Sequence, residues 1–481
     1  MRLSTLAGLA PSGDDPDILG LTADSRAVKP GFLFAALPGV KADGAQFVKD
    51  AIAKGAVAIL GNKSVKAVAE GRAFVTSDNP RKRLAELAAK YYGVQPETIV
   101  AVTGTNGKTS VASFVRQIRA SLGNASASFG TVGVVSPRGT KPLSHTTPDP
   151  VEIHRLLAEL SAEDVTHVAF EASSHGLAQY RVDGIRVRAA GFTNLTRDHL
   201  DYHETFEAYR DAKLRLFSEV LPSNGTAVIN ADSSEAPAFE AAARARGVAL
   251  LRVGERGEEL QLLSRVPAGD GQDLTVRWQG RDFHITLPLA GAFQASNVLV
   301  AAGLVLATGG NASLVFAAVA SLKGAAGRLE KIGATKAGVP VYVDYAHTPD
   351  ALETVLKALR PHTTGKLSVV FGCGGDRDAG KRPLMGAAAA RYADEVIVTD
   401  DNPRTEDAAL IRKAVLAGVP RAKEIGDRAQ AIEVAIQSAG VGDVVVVAGK
   451  GHEAGQIVGR EILPFNDADE VRAVIARLKK G

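Results

Sequence analysis

Short apolar runs alternate with stretches of helical spacing along most of the chain. The runs predict buried strands, and they lie at 31–35, 56–60, 73–75, 98–103, 166–170, 189–195, 225–232, 339–343, 367–371, 396–399 and 444–448. Apolar residues at Val111, Phe114 and Ile118 show the intervening pattern and predict a helix from Ser110 to Leu122. This alternation favours an α/β fold.

The predicted elements group into three domains, as a length of 481 residues suggests at about 150 residues per domain. We expect a smaller α/β domain at 1–94. Alternating strands and helices at 95–324 predict a mostly parallel sheet covered by helices. Four β-branched strands separated by helices at 325–481 predict a doubly wound, Rossmann-like domain.

A glycine loop joins the strand 98–103 to the helix that follows it. Such a loop lets backbone N–H groups and a helix N-terminus approach phosphates, while Lys108 reaches the terminal phosphates and Thr109 holds Mg²⁺. Val102 occupies the position where the general pattern has its first glycine, so a glycine-rich turn that binds nothing is the alternative. We interpret the segment as the phosphate loop of a P-loop ATPase, formed by Gly104, Thr105, Asn106, Gly107, Lys108, Thr109 and Ser110.

Acidic residues and histidines follow two further strands of the central domain. Glu171 ends one strand, where ligands bind in open α/β sheets, although it could be a solvated acid. Asp198 and His199 follow the next strand and suggest metal or phosphate chemistry, or Asp198 caps a helix predicted to continue to Phe217. Lys213 on that helix is either a solvated charge or returns toward the same cleft.

Polar residues also follow each of the four strands in the C-terminal domain. The segments are 344–349, 372–377, 400–404 and 449–453. Because parallel strands end at one edge of a sheet, we expect these segments to form one binding face. None continues as the glycine-rich fingerprint of a nicotinamide site. Gln294 and Asn297, one turn apart on an Ala-rich helix, could read an adenine or cap that helix.

Composition narrows the possible partners. A formal net charge of +3 with interspersed signs does not favour nucleic acid or a membrane surface. Cys373 is the single cysteine, and no apolar stretch approaches the ~20 residues of a membrane span. We therefore expect a cytoplasmic protein without membrane insertion.

Five segments together resemble the Mur ligases, which are ATP-dependent amino-acid ligases of peptidoglycan precursor synthesis. They occur in the family's order over essentially the whole chain, at 103–109, 171–175, 194–203, 344–349 and 449–453. The shortened phosphate loop is the family's own version. The resemblance implies an N-terminal domain that binds the UDP substrate, a central ATP-binding domain, a C-terminal domain that binds the amino acid, and Mg²⁺ as cofactor.

The segment Asp-Asn-Pro-Arg at 401–404 is similar to that of family members that add meso-diaminopimelate to UDP-N-acetylmuramoyl-L-alanyl-D-glutamate. Lysine-adding members lack the arginine. Diaminopimelate differs from lysine by a distal carboxylate, which a guanidinium binds bidentately. The resemblance implies that Arg404, helped by Arg377, selects this amine. It also implies that ATP phosphorylates the D-glutamate carboxylate and that the amine attacks the acyl phosphate.

The resemblance further implies a role for each matched residue. Lys108, Lys213 and His199 are the implied catalytic residues, with Lys213 carbamylated, Thr109 and Glu171 as ligands of one Mg²⁺ and His199 as a ligand of a second. ATP would contact the loop together with Asn297, Arg328 and Asp344. The UDP-muramoyl dipeptide would contact Ser25, Thr146, Thr147, Ser173, Gln179 and Arg181. Diaminopimelate would contact Arg377, Asp401, Asn402, Arg404, Gly449 and Glu453.

Three other functions stay open on the sequence. A lysine-adding ligase conflicts with Arg404, and a folylpolyglutamate synthetase-like enzyme conflicts with the additional N-terminal domain. A nucleotide-gated binding protein without chemistry would lack the metal and substrate residues that are present here. By resemblance we expect a monomer.

Overall fold

The structure is a computed structural model that describes residues 1–10, 14–39, 43–69 and 71–480. It divides into two compact units. One comprises Met1–Val253 with Gly303–Gly310, and the other comprises Gly254–Ala302 with Asn311–Gly481. In the described residues, no helix is long and apolar enough to cross a membrane.

The first unit begins with a small parallel sheet covered by helices. Its strands, in spatial and chain order, are β1 (Gly20–Thr22), β2 (Phe32–Ala35), β3 (Ala58–Gly61) and β4 (Ala73–Thr76). Its helices are α1 (Leu3–Ala7), α2 (Val48–Ala53) and α3 (Pro80–Tyr92), with 3-10 turns at Gly44–Phe47 and Lys63–Val68. The Asn79 side chain accepts from the Lys82 N–H, and Pro80 occupies the first turn, so α3 begins where the sequence provides a cap.

A larger sheet follows in the same unit. Its strands are β5 (Thr98–Thr103), β6 (Ser126–Gly130), β7 (Gly133–Ser136), β8 (Gly139–Lys141), β9 (His167–Glu171), β10 (Val187–Phe192), β11 (Thr226–Asn230) and β12 (Ala249–Gly254). They lie in the order β12-β11-β10-β5-β9-β6-β7-β8 and are parallel from β12 to β6. The central strand β5 is buried on both faces, which explains its continuous apolar run.

The helices of this sheet are α4 (Lys108–Ser121), α5 (Pro150–Ala162), α6 (Ser174–Ala178), α7 (Leu200–His203), α8 (Phe206–Arg215) and α9 (Ala236–Ala245), with a π turn at Leu216–Val220. The prediction of one helix continuing from Asp198 to Phe217 is wrong. Glu204 has a φ of +65°, which interrupts the helix. Thr205 then caps α8 by accepting from the Ala208 N–H, so Asp198 does not cap a continuous helix.

The second unit contains an antiparallel meander and a doubly wound sheet. The meander is β13 (Leu260–Ala268), β14 (Gly271–Trp278) and β15 (Arg281–Leu287), followed by α10 (Ala292–Ala307), which continues into the other unit, and α11 (Ala312–Val319). The sheet strands are β16 (Glu330–Ala334), β17 (Pro340–Asp344), β18 (Leu367–Phe371), β19 (Glu395–Val398), β20 (Lys423–Glu424) and β21 (Val444–Ala448).

This sheet has the order β16-β17-β21-β18-β19-β20 and is parallel except for β16. Its helices are α12 (Pro349–Leu359), α13 (Lys381–Tyr392), α14 (Ala408–Leu416), α15 (Arg428–Ser438) and α16 (Asp467–Lys480), with a 3-10 turn at Arg360–His362 and a hairpin of β22 (Gly455–Val458) and β23 (Glu461–Pro464). Apolar clusters fill both faces. The predicted α/β class and the common carboxyl edge of β17, β18, β19 and β21 are confirmed.

Candidate active site

The glycine loop lies between β5 and α4, as the sequence predicts. Gly107 precedes the first residue of α4 with a φ of +88°, a conformation that side chains disfavour. Gly104 has a φ of +148°, and a Cβ there would lie 2.0 Å from Thr193 Oγ1. The loop therefore requires glycine at both positions, and it presents the N-terminus of a fourteen-residue helix.

Two lysines converge on one carbonyl of this loop. Lys108 Nζ donates to Gly104 O at 2.9 Å and to Thr105 O at 2.8 Å. Lys213 Nζ donates to the same Gly104 O at 2.8 Å, although 109 residues separate the two. Lys213 thus returns to the loop and is not a solvated charge.

The Lys213 side chain is only 1% exposed and packs with its ammonium 4.6 Å from the Tyr209 ring centroid. Burial holds the pKa of Lys213 well below its usual range, and the charge of Lys108 lowers it further. Tyr209 also places its hydroxyl 3.1 Å from Thr105 Oγ1. The amine of Lys213 is therefore held neutral more readily than that of a surface lysine.

The Glu171 carboxylate lies beside the first turn of α4. It is 2% exposed, and its Oε2 accepts from Thr109 Oγ1 at 3.0 Å. Thr131 donates to Glu171 twice, from its N–H to Oε1 at 2.8 Å and from its hydroxyl to Oε2 at 3.1 Å. Because it is buried and hydrogen-bonded, Glu171 is not a solvated acid. Among the side chains that the structure describes, it has no ion-pair partner.

A buried carboxylate that only neutral groups satisfy, next to a threonine hydroxyl, suits a small divalent cation. Both are hard oxygen donors of the kind Mg²⁺ prefers. The residues present therefore fit this ion. His199, which was predicted to bind a second cation, is exposed. Its ring centroid lies 6.1 Å from that of Tyr209 and 5.1 Å from that of His175. No group of three or more His, Cys, Asp or Glu in the described ranges forms a ready metal cluster.

Hydrogen bonds join four of the residues predicted to bind the UDP substrate, and this group lies beside Glu171. Thr147 Oγ1 donates to Glu171 O at 2.8 Å and accepts from Ser173 N at 3.0 Å. Arg181 donates to Thr147 O at 2.7 Å and to Gln179 Oε1 at 2.8 Å. Burial lowers the pKa of the Arg181 guanidinium.

The two remaining residues predicted for this substrate have other neighbours. Thr146 Oγ1 lies 3.1 Å from Thr131 Oγ1. Ser25 belongs to the turn after β1, where its carbonyl accepts from Lys54 Nζ at 2.9 Å. In that turn Asp24 pairs with Arg26 at 2.8 Å, which gives the segment a structural role of its own.

In the second unit, the three residues predicted to contact ATP form a connected group. Asn297 Nδ2 donates to Gln294 Oε1 at 3.4 Å, and Gln294 Nε2 donates to the Arg328 carbonyl at 3.1 Å. Asp344 accepts from the N–H groups of Leu329 at 2.6 Å and Ala346 at 2.7 Å. Burial raises the pKa of Asp344 to about 6.

Arg404 lies at the carboxyl edge of the doubly wound sheet. Its Nη1 donates to Gly375 O at 2.9 Å and, less closely, to Asn402 O at 3.4 Å. The side chain is half-buried and forms no ion pair in the part of the chain that the structure describes. Arg377 is exposed, and its guanidinium donates to the Asp376 carbonyl at 3.3 Å. Both guanidiniums are therefore available to an anion.

A fully buried lysine organises the rest of this edge. Lys450 Nζ donates to Asn402 Oδ1 and Glu453 Oε2, both at 3.0 Å, and to Gly455 O at 2.7 Å. Asn402 Nδ2 donates to the same Glu453 oxygen at 2.9 Å. Lys450 thereby fixes two residues that were predicted to bind the amino acid.

Asp401 and Gly449 lie against each other at the same edge. A Cβ at Gly449 would lie 2.7 Å from Asp401 Oδ2, so only glycine allows this approach. Burial raises the pKa of the Asp401 carboxyl.

Sequence reasoning did not single out Thr131, Tyr209 or Lys450. Lys450 carried a usable signal, because a lysine two residues after the buried strand Val444–Ala448 must find acceptors when it is itself buried. Thr131 follows strand β6, which the sequence patterns did not predict. Tyr209 reads as an ordinary core residue of a helix.

Comparison with known proteins gives three family matches in order along the chain. The models are described as "Mur ligase family, catalytic domain" at residues 17–92, "Mur ligase middle domain" at 102–305 and "Mur ligase, glutamate ligase domain" at 327–451. The chain therefore belongs to the Mur ligase family, and its three-domain organisation is confirmed.

Individual relatives match over nearly the full length. The UDP-N-acetylmuramoyl-L-alanyl-D-glutamate–2,6-diaminopimelate ligase of Caulobacter vibrioides is 55% identical over 98% of this chain and 97% of its own. The protein of that name from Bradyrhizobium diazoefficiens is 53% identical over 99% of both chains. A solved structure with the same name is 34% identical, with a TM-score of 0.77, and covers 100% of this chain and 99% of its own.

Proposed function

We propose that this protein is an ATP-dependent ligase that joins meso-diaminopimelate to the D-glutamate carboxylate of UDP-N-acetylmuramoyl-L-alanyl-D-glutamate, releasing ADP and phosphate. The near full-length likeness to relatives named for this activity supports the proposal. The observation that carries the choice of amine is the Arg404 guanidinium, half-buried at a sheet edge without a carboxylate partner among the described residues.

Diaminopimelate would be recognised by both of its ends. Arg404, with Arg377, would bind the distal carboxylate, which lysine lacks. Lys450 and Asn402 hold Glu453 through Oε2, so its Oε1 remains to accept from the distal ammonium. We propose that the pocket is completed by Asp401, Asn402 and Gly449.

The chemistry requires positive charge, because a carboxylate must approach a triphosphate. In the first step the D-glutamate carboxylate attacks the terminal phosphorus of ATP, and in the second the amine displaces phosphate from the acyl phosphate. Lys108, whose ammonium donates to the Gly104 carbonyl of the loop, would stabilise the negative charge on the transferred phosphoryl group. The loop residues that would surround the phosphates are Gly104, Thr105, Asn106, Gly107, Thr109 and Ser110.

Thr109 and Glu171 would hold one Mg²⁺, and His199 is the proposed ligand of a second. The bound cation supplies a Lewis acid that offsets negative charge on the phosphates. Lys213 is the proposed site of carbamylation, because its buried, more readily neutral amine can add carbon dioxide with loss of a proton. The resulting carbamate would place an oxygen anion beside the loop, where an ammonium would repel the cation.

The other substrate contacts follow the connected groups described above. Asn297, Arg328 and Asp344 would contact the base, phosphates and ribose of ATP. We propose that the UDP-muramoyl dipeptide is held by Ser25, Thr146, Thr147, Ser173, Gln179 and Arg181. Of these, Ser25 lies in the turn after β1, where its carbonyl accepts from Lys54 Nζ.

We also propose domain boundaries of 1–94, 95–324 and 325–481. The first would bind the UDP substrate, the second ATP, and the third the amino acid. A monomer in the cytoplasm, acting on these small molecules without nucleic acid or membrane insertion, stays our prediction.

The direct test is product formation by the purified chain. With the UDP-linked dipeptide, ATP, Mg²⁺ and meso-diaminopimelate, we expect one ADP and one phosphate for each UDP-linked tripeptide detected by mass spectrometry. Omitting any one component should abolish the product. Nucleotide binding without any tripeptide would instead support a binding protein without chemistry. In a parallel assay with a folate and L-glutamate, addition of glutamate to the folate would support a folylpolyglutamate synthetase-like activity.

A further inference from the structure

Thr131, which directly follows β6, has no role in the function proposed above. Its N–H donates to Glu171 Oε1 and its hydroxyl to Glu171 Oε2, at 2.8 and 3.1 Å. The preceding residue, Gly130, leaves the space that the carboxylate occupies, since a Cβ there would lie 2.1 Å from Oε1. The end of β6 is thus shaped around both oxygens of this carboxylate.

The direction of the hydrogen bonds follows from the number of protons. A threonine hydroxyl has one proton, and Thr131 gives it to Glu171, which as a carboxylate can only accept. In the 3.1 Å contact between the hydroxyls of Thr146 and Thr131, Thr146 must therefore be the donor. The result is a directed series from Thr146 through Thr131 to Glu171, which Thr109 also contacts at 3.0 Å.

This series connects two groups with different proposed ligands. Thr146 belongs to the proposed dipeptide site, while Thr109 and Glu171 would hold the cation. We propose that Thr131 is a positioning residue that couples the two, so that the dipeptide substrate and the divalent cation each favour binding of the other. The inference rests on the proposed function, because it uses the ligands assigned there.

The physical basis is shared ordering. A ligand that immobilises Thr146 also fixes the Thr131 hydroxyl, and thereby the Glu171 carboxylate, so the next ligand meets a site that is already ordered. Such coupling must be reciprocal between the two ligands. Losing one hydrogen bond from the series should weaken the coupling between the two ligands about 3- to 10-fold, which is the range expected for a single hydrogen bond.

The test measures Mg²⁺ dependence without turnover. Mg²⁺ is titrated by calorimetry into the protein mixed with a non-hydrolysable ATP analogue, with and without UDP-N-acetylmuramoyl-L-alanyl-D-glutamate. Each titration gives the Mg²⁺ concentration at half-saturation. In the wild type, we expect the dipeptide to lower the half-saturating Mg²⁺ concentration. In Thr131→Val, which keeps shape and N–H but loses the hydroxyl, that concentration should rise about 3- to 10-fold and the dipeptide effect should disappear.

Thr131→Ser should restore both, whereas the matched control Thr140→Val, on exposed strand β8, should change neither. If Thr131→Val does not fold, Thr131→Ala, which also lacks the hydroxyl, must show the same loss of the dipeptide effect. A dipeptide effect that persists without the Thr131 hydroxyl, or that is absent in the wild type, refutes the coupling. Tripeptide formation by the same wild-type preparation separates this result from a failure of the proposed function.

Discussion

At the scale of single residues, Lys213 has an environment unlike that of a surface lysine. Its amine is buried, shares the Gly104 carbonyl with Lys108, and has a depressed pKa. We expect wild-type protein equilibrated with ¹³C-labelled bicarbonate to show one carbamate signal by NMR. Lys213→Arg should lose both the signal and most of the ligase activity.

Lys357→Ala provides the control, since that lysine is exposed and paired with Glu353 on α12. Its replacement should leave the carbamate signal and the activity intact. An active Lys213→Arg variant, or a wild type without the signal under turnover conditions, would contradict the carbamate role.

Asp344 gives a prediction in pH. Burial raises its pKa to about 6, so the carboxylate becomes protonated as the pH falls through that value. A protonated carboxyl is a weaker acceptor for a ribose hydroxyl, and the KM for ATP should therefore rise below about pH 6 while remaining level above it. Asp344→Asn should have a raised KM that does not change over this interval. A wild-type KM that is constant from pH 5 to 8 would remove Asp344 from the ATP site.

Single residues also show where sequence reasoning reaches its limit. The phosphate loop was predictable, because its glycines, lysine and threonine act within a few positions of one another. Thr131 was not, because its partner Glu171 is 40 residues away and their meeting depends on β6 pairing with β9. The burial of Lys213 against a loop 109 residues earlier is likewise a tertiary outcome.

At the scale of elements, the end of strand β6 limits where the Glu171 carboxylate can lie. Gly130→Ala would place a methyl group 2.1 Å from Glu171 Oε1 in the present geometry. We expect displacement of the carboxylate, a loss of about 1–3 kcal/mol in the free energy of unfolding, and at least a tenfold higher Mg²⁺ requirement for activity.

Gly440→Ala is the matched control, because a Cβ there meets nothing closer than 3.9 Å. Chemical denaturation and Mg²⁺ titration check both variants. If Gly130→Ala keeps the wild-type Mg²⁺ requirement, Glu171 is not positioned for the cation as we describe.

The interruption between α7 and α8 shows which elements a pattern misses. Residues 198–205 contain neither glycine nor proline, and the one local signal of a new helix start is Thr205, a residue type that caps helices. The break nevertheless determines that Thr205, not Asp198, caps the helix that carries Lys213. By contrast, strands buried on both faces, such as β5 and β21, were located within one or two residues by their apolar runs.

At the scale of the whole molecule, the order of strands converts separate motifs into sites. Four polar segments that are distant in the sequence share one edge because β17, β18, β19 and β21 are parallel. That convergence could be predicted from a general rule of α/β sheets. The side-chain contacts at the edge, above all those of Lys450, could not, since they depend on the exact approach of neighbouring loops.

The central claim is that Arg404 selects the incoming amine by its distal carboxylate. The most direct measurement is the ratio of kcat/KM for meso-diaminopimelate to that for L-lysine, in the wild type, in Arg404→Ala and in the exposed control Arg421→Ala. A charge-assisted bond is worth about 1.5–3 kcal/mol, so we predict a wild-type ratio of at least roughly 10 to 150, unchanged in Arg421→Ala and close to one in Arg404→Ala. Equal use of both amines by the wild type, or a preference that survives Arg404→Ala, would contradict the account.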